Sequence, residues 1–566
     1  MFVDFVIRDV DFLLRKGEIQ SAWNKCTAAI ESGVVNSALF AKRGHIDLLL
    51  FQNARAIEDL AKAIETAPPV NSRARLYQRL ETVLQFAAAL RESKEIVRAI
   101  EVLETFFGRE PGGTDLSVVA HAKFELAKLE KELWRYDKAF HHLNELIYLG
   151  LPQFDSEHEN IRREISGFRS AISARIKKMK THDLSRDDLV MLADNLCRCG
   201  KPRFALMCLR RLRTDSETDS RIPIIQFYAR LRIGSARDAV DALAAHYDLY
   251  KHKSDYIYCL SFGLLQCGDA ELAAKRLMEL PLQALKGRCF ELLWRIEVNE
   301  RGRLDNVTCI AEHLQIYDHD VTMASMYLTS LHMTGAHPVE FVVTSAADHS
   351  RSPRTKTIMQ FWDKNPPDEI LLLTRQWRQM NIGWEVFLFD NESAREFIVV
   401  QFGREIAELF DACHHAAMRS DFFRICFLLI KGGVYIDADE RCLQPADSFF
   451  AGWEHVRFAA CVSPDIPFYV HNSFIYAAPG HGILSTAFDL MIAAIRNDQR
   501  ARRKTNIWYR TGPGLITRSV AQYLARSPQP ATSGDVTLIS EYSFRQFAET
   551  PKLNYKRAPE GNWRLA

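Results

Sequence analysis

The sequence predicts two folds in one chain, a helical-repeat α-solenoid followed by an α/β domain. Three observations carry this. Gly200, Gly234, Gly268 and Gly302 recur at intervals of 34 residues within an Ala/Leu-rich, helix-patterned half. Beyond Pro353, short β-branched and aromatic runs alternate with amphipathic stretches, as in an α/β sheet. Residues 417–440 read AMRSDFFRICFLLIKGGVYIDADE: helix, glycine turn, buried strand, then three acids.

Composition limits the function. At 566 residues the chain exceeds one typical core, so two or three domains are expected. Lys and Arg total 73 against 71 for Asp and Glu, a net charge of +2, which argues against nucleic-acid binding by bulk electrostatics. The 12 cysteines are scattered, and Cys197 and Cys199 have no second pair at zinc-ligand spacing; free thiols of a reducing cytosol are expected. The first residues, MFVDFVIRDVDFLLRKGEIQ, carry acids inside their apolar stretch, unlike a signal peptide. No run approaches the ~20 apolar residues of a spanning helix. A cytoplasmic protein with no transmembrane segment follows, with peripheral membrane contact left open.

The solenoid comes first. Ala205, Ala239, Ala273 and Val307 follow the four glycines at a constant offset, and Leu209, Leu243, Leu277 and Ala311 come one helical turn later. Glycine ends one helix, and the small residue lets the next approach closely. The mark returns at Ala22 and Cys26, at Ala56, Leu60 and Ala63, and more weakly at Ala99/Leu103 and Ala139/Leu143. A 34-residue helix-turn-helix period is the tetratricopeptide signature, so residues 1–335 are read as a tetratricopeptide-like array. Its concave surface would bind a protein partner. Residues 150–190 lack the mark and predict a charged helix, either inserted into the array or marking a break between two sub-arrays. Basic residues 175–180 read as a solvated face. Val321–Met333 is expected to cap the array, and 336–352 to be a linker.

In 353–566, strands are expected at Lys356–Phe361, Glu385–Phe389, Val434–Ile436, Phe458–Val462 and Ser473–Ala477. Helices are expected at Asp368–Gln379, Ser393–Val400, Ala416–Ile430 and Ile483–Asn497. Asp437 and Asp439 flank Ala438 just past a strand, where α/β sheets bind ligands. In an extended backbone both would point one way. Such a pair suits a hard divalent cation, Mn²⁺ or Mg²⁺, completed by substrate phosphates; a turn with solvated acids is the other reading. Asp421 and Arg424 share a helix face.

These residues resemble a known family. S-D-x-x-R followed by G-G-V-Y-I-D-A-D is similar to the DXD-containing sugar transferases of glycosyltransferase family 32, among them capsular polysaccharide synthesis and initiating mannosyltransferase proteins. PRTKTIMQFW at 353–362 resembles the family's opening strand, with Gln360 and Trp362 matching and Met359 where His is usual. His471-Asn472-Ser473-Phe474, Pro479-Gly480-His481 and Thr511-Gly512-Pro513 match further elements. Glu560-Gly561-Asn562-Trp563 resembles the closing segment, with Asn562 in place of Ser.

The resemblance implies a GT-A-type fold and a retaining transfer from a UDP- or GDP-sugar to a protein or glycan acceptor. It implies donor contacts from Gln360, Trp362, Asp421, Arg424, Tyr435, Asp437, Asn472 and Trp563, and metal contacts from Asp437 and Asp439. His471 and His481 read as structural. An interaction scaffold with a weak, vestigial transferase half is the alternative, motivated by Met359 and Asn562.

Overall fold

The structure, a computed structural model, describes residues 2–15, 18–70, 72–109, 116–148, 155–179, 184–212, 219–281, 284–285, 287–301, 314, 320–334, 336–337, 339–340, 355–453, 455–502, 506–526, 535–551 and 553. Two compact units divide the chain: Met1–Arg8 with Trp23–Gly302, and Asp9–Ala22 with Arg303–Ala566.

The first unit is a stack of helical hairpins. Ser37–Leu49 pairs with Asn53–Glu65, Arg73–Glu92 with Ile96–Arg109, and Leu116–Glu132 with Tyr136–Tyr148. Arg186–Arg198 pairs with Pro202–Arg210, Arg221–Ile233 with Ala236–Ala244, and Ser254–Gln266 with Ala270–Met278. The small residue of each second helix is fully buried: Ala56, Ala99, Ala139, Ala205, Ala239 and Ala273. Leu60, Leu103, Leu143, Leu209, Leu243 and Leu277, one turn on, are buried with them and fill the groove. The periodic glycines do not all act alike. Gly200 and Gly268 end their helices left-handed, each at φ 77°, whereas Gly234 ends its helix in extended backbone. Gly302, Val307 and Ala311 lie outside the described residues. The charged stretch forms one helix, Asp155–Met179. Later hairpins bind back to an early one: Gln266 Nε2 donates to Lys94 O at 2.6 Å, and Arg295 Nη1 to Glu92 O at 2.6 Å.

The second unit is α/β. Its described strands are β1 (Val339–Glu340), β2 (Thr357–Phe361), β3 (Glu385–Phe389), β4 (Gly433–Ile436), β5 (Arg441–Cys442), β6 (Phe458–Val462), β7 (Val470–Ala477), β8 (Val536–Ser540) and β9 (Ala548–Glu549). Seven form one sheet in the order β1-β8-β6-β7-β4-β2-β3, and β5 pairs with β9. Every pairing in the large sheet is parallel except those of β7 with β4 and β6. The start of β7 therefore lies at the edge where β2 and β4 end. One sheet face carries an aromatic core of Trp377, Trp384, Phe449, Phe450 and Phe547 over Ile436, Phe474 and Tyr476.

Helix Val321–Met333 falls within this second unit. It is buried along nearly its whole length. Within the unit, its buried Thr329 hydroxyl accepts from Phe468 N at 3.0 Å.

Candidate active site

The helix Ala416–Lys431 starts at His415, whose Nδ1 accepts from Ala417 N at 3.1 Å. It is buried on all sides, so its polar residues Ser420, Asp421 and Arg424 need partners within the protein. Gly432 and Gly433 then reverse the chain at φ 67° and 101°. A Cβ on Gly433 would stand 2.6 Å from Thr357 O, and one on Gly432 2.5 Å from Pro479 Cδ, so no other residue fits this turn. β4 follows at once, between β2 and β7.

The helix and strand meet in a closed polar network. Arg424 Nη2 donates to Ser420 Oγ at 2.9 Å, and Ser420 Oγ lies 2.9 Å from Tyr435 OH. Tyr435 OH donates to Asp437 Oδ1 at 2.6 Å, so its one proton is spent and Ser420 is the donor between them. The Arg424 guanidinium lies 3.9 Å from the centre of the Tyr435 ring. Its Nη2 sits 3.1 Å from Asp421 Oδ1 and 3.6 Å from Asp437 Oδ1, and Nη1 donates to Asn472 O. Asp421 also accepts from Asn472 Nδ2 at 2.6 Å and Thr511 Oγ1 at 3.1 Å.

Burial pushes the Asp421 carboxyl up to about 6, against the pull of Arg424, Thr511 and Asn472. For Arg424, burial opposes the charge, but Tyr435, Asp421 and Asp437 outweigh it and hold its pKa above the ordinary value. Glu440 is a second buried acid. Burial raises it to about 7, although Arg545 Nη1 lies 3.2 Å from both its oxygens and Thr550 Oγ1 donates at 2.8 Å.

Asp437 and Asp439 are displayed by a turn and not by an extended strand, correcting the expected geometry. β4 stops at Ile436; Asp437 N donates to Ser473 O at 3.1 Å, and Glu440 N closes the turn onto Asp437 O at 3.1 Å. Both carboxylates are half-exposed. Among the described residues no group of three or more acids, His or Cys could hold a metal. The donor set at this turn, two oxygen-only, half-exposed side chains, fits a hard cation that takes its remaining ligands from water and phosphate.

Asp421, Arg424, Tyr435, Asp437 and Asn472, all singled out in the sequence, thus meet in one network. Trp362 packs with Ile370 and Leu373 against Ala438, between the two turn acids. Gln360 is fully buried on β2, and neither its Nε2 nor its Oε1 has a hydrogen-bond partner among the described residues. Trp563 lies outside the described residues. His481 is structural: it caps the helix Gly482–Arg500 through Nδ1. Ser420, Thr511 and Glu440 stood in the quoted motifs without an assigned role, and Arg545 and Thr550 were not singled out. Thr511 stood in the T-G-P element, but nothing in the sequence joins Glu440 to a partner 105 residues away.

Residues 367–454 match the family model described as glycosyltransferase sugar-binding region containing DXD motif. An uncharacterized glycosyltransferase of Acanthamoeba polyphaga mimivirus is 26% identical over 174 residues, 31% of this chain and 64% of that protein. The initiation-specific alpha-1,6-mannosyltransferase of Schizosaccharomyces pombe is 25% identical over 201 residues, 31% of this chain and 51% of that protein. The chain therefore spans between half and two thirds of the length of these curated relatives. Among solved structures, the PaToxG glycosyltransferase aligns at TM-score 0.25 and 16% identity over 39% of this chain and 80% of its own. A tetratricopeptide repeat protein from Parabacteroides merdae aligns at TM-score 0.24 and 15% identity over 46% of this chain and 98% of its own. The matched segment, residues 367–454, holds the site helix, the glycine turn, β4 and the acidic turn, and it is this segment that is similar to a DXD-containing glycosyltransferase sugar-binding region.

Proposed function

We propose that this domain is a working, metal-dependent transferase that moves a sugar from a nucleotide-diphosphate donor to a protein or glycan acceptor, with retention of configuration. The observation that supports this best is the buried Asp421–Arg424–Tyr435–Asp437 network, which ends on a turn bearing two half-exposed carboxylates. Asp437 and Asp439 would hold Mn²⁺ or Mg²⁺, which when bound neutralises charge on the departing diphosphate. Asp421, fixed by three donors, accepts hydrogen bonds from sugar hydroxyls. Arg424 keeps Asp437 oriented, and Asn472 reaches the donor sugar or the acceptor. Trp362, beside Ala438, is assigned to the nucleotide, and the unpaired Gln360 amide to the donor. Trp563 is assigned to closing over the diphosphate. No side chain is assigned as nucleophile, in keeping with front-face displacement.

The repeat array is proposed to recruit the acceptor or a protein partner. A cytoplasmic setting suits the eleven cysteines among the described residues, all free thiols. Among those residues no helix is long and apolar enough to cross a membrane.

The test is a donor-hydrolysis screen over UDP- and GDP-sugars with and without Mn²⁺, starting with GDP-mannose because of the S. pombe relative's name. Asp439→Asn should remove metal-dependent hydrolysis at unchanged melting temperature. Full turnover in that variant overturns the metal assignment, and calorimetry with no heat from any donor would favour the scaffold.

A further inference from the structure

We propose that a cavity of about 530 Å³ beside the acid network is a saccharide acceptor subsite. The proposal deepens the transferase reading and rests on it. The cavity lies wholly within the second unit, and its walls include Tyr469, Trp508 and Tyr509. Asp320, Thr322 and Ser325 supply polar groups to the same lining. Its volume falls within the usual range for small-ligand pockets, about 300–1,000 Å³.

Two short segments join the cavity to the network. The turn of helix Ile507–Arg510 gives Trp508 to the cavity, and the next residue, Thr511, donates to Asp421. Gly512 sits where a Cβ would be 3.2 Å from the Trp508 backbone and 3.3 Å from Asp421 Oδ2, so no side chain separates the two. On the other segment, Tyr469 immediately precedes β7, and Asn472, three residues on, donates to Asp421. At strand rise Tyr469 and Asn472 are about 10 Å apart along the backbone. Tyr469 stands edge-on to Trp508, with ring centroids 5.7 Å apart, and stacks on His471 at 5.1 Å.

The lining chemistry selects the occupant. Flat aromatic rings meet the apolar C–H faces of a pyranose, and hydroxyls with a carboxylate meet its equatorial oxygens. The described lining has no cationic group and one anionic one, Asp320, which disfavours a phosphate-bearing or acidic acceptor. A peptide backbone would need a row of main-chain partners or an extended groove. None of the described residues lining this cavity lies in a strand that could pair with a peptide.

The test uses the full chain and a printed array of di- and trisaccharides containing mannose, glucose, galactose and N-acetylhexosamines. Hits are titrated by saturation-transfer NMR and tryptophan fluorescence, and donor hydrolysis is measured separately. Wild type should bind at least one saccharide. Tyr469→Ala should weaken it tenfold or more, and Thr322→Arg, which fills the cavity from its rim, should abolish it. Circular dichroism melts check that each variant folds. Equal binding in wild type and both folded variants overturns the proposal. So does binding of no array saccharide, including the case in which the protein hydrolyses donor and glycosylates a peptide. Cavity-dependent binding without hydrolysis of any donor would uphold the subsite and sink the transferase reading instead.

Discussion

Arg424 is the residue on which the site's electrostatics turn. Its side chain and that of Asp421 are 5% and 6% exposed, so neither charge has water to fall back on. Removing one partner of a buried pair leaves the other uncompensated, at about 3–5 kcal/mol. Arg424→Leu should therefore destabilise the C-terminal unit by about that much in urea titration, and a loss below about 1 kcal/mol would show the pair to be solvated. Glu440 sets a pH dependence. Its pKa in the folded chain, about 7, lies above the ordinary 4.5, so its stabilising contribution is full below the unfolded value and is lost as pH rises through about 7. Asp421 adds the same sign between 3.8 and about 6. Glu440→Gln removes one of these terms. Its melting temperature relative to wild type should rise between pH 5 and pH 8, and a flat or falling difference refutes the buried-acid reading. Asp421, Arg424 and Tyr435 were legible in the sequence because polar groups stood inside an apolar helix–turn–strand. The Glu440–Arg545 pair was not, since nothing local marks a contact between distant segments.

At the scale of elements, the glycine pair fixes where helix becomes strand. Gly433 combines φ 101° with a Cβ position 2.6 Å from the backbone oxygen of Thr357, an atom that cannot move without shifting β2. Gly480 also has positive φ, 70°, but open space around its Cβ position. Gly480→Ala should thus cost only the left-handed conformation, about 1–2 kcal/mol, and Gly433→Ala a further 1–3 kcal/mol for the overlap. Thermal melts of the two variants check the ranking; equal losses would show that the sheet yields at Thr357. Strong local pattern made several elements readable: the sequence placed Glu385–Phe389 and Phe458–Val462 at their observed bounds. Pairing hid the others. β7 begins at Val470, before its apolar run, because Val462 of β6 pairs with it there, and β8 is held between β1 and β6. The acid pair was expected on an extended backbone, yet hydrogen bonding from Glu440 N to Asp437 O bends it into a turn.

For the whole molecule, periodicity revealed the repeats because each hairpin needs a small residue at the same place. It could not reveal where they stop. Val321–Met333 continues the helical pattern, and only packing assigns it to the α/β unit. Two units with separate cores should melt as two transitions, since cooperativity extends only as far as shared packing. A ligand bound by one unit raises that unit's transition alone, by about 2.7 kcal/mol at a concentration of 100 Kd. Scanning calorimetry with GDP- or UDP-sugar and Mn²⁺ should therefore move one of two peaks and leave the other in place. In Asp439→Asn the peaks should stay where they are without ligand, and the donor-dependent shift should vanish. Donor moving both peaks together, or a single peak throughout, would mean that the repeats and the transferase fold as one cooperative body and that the array cannot act as a separate recruiting module.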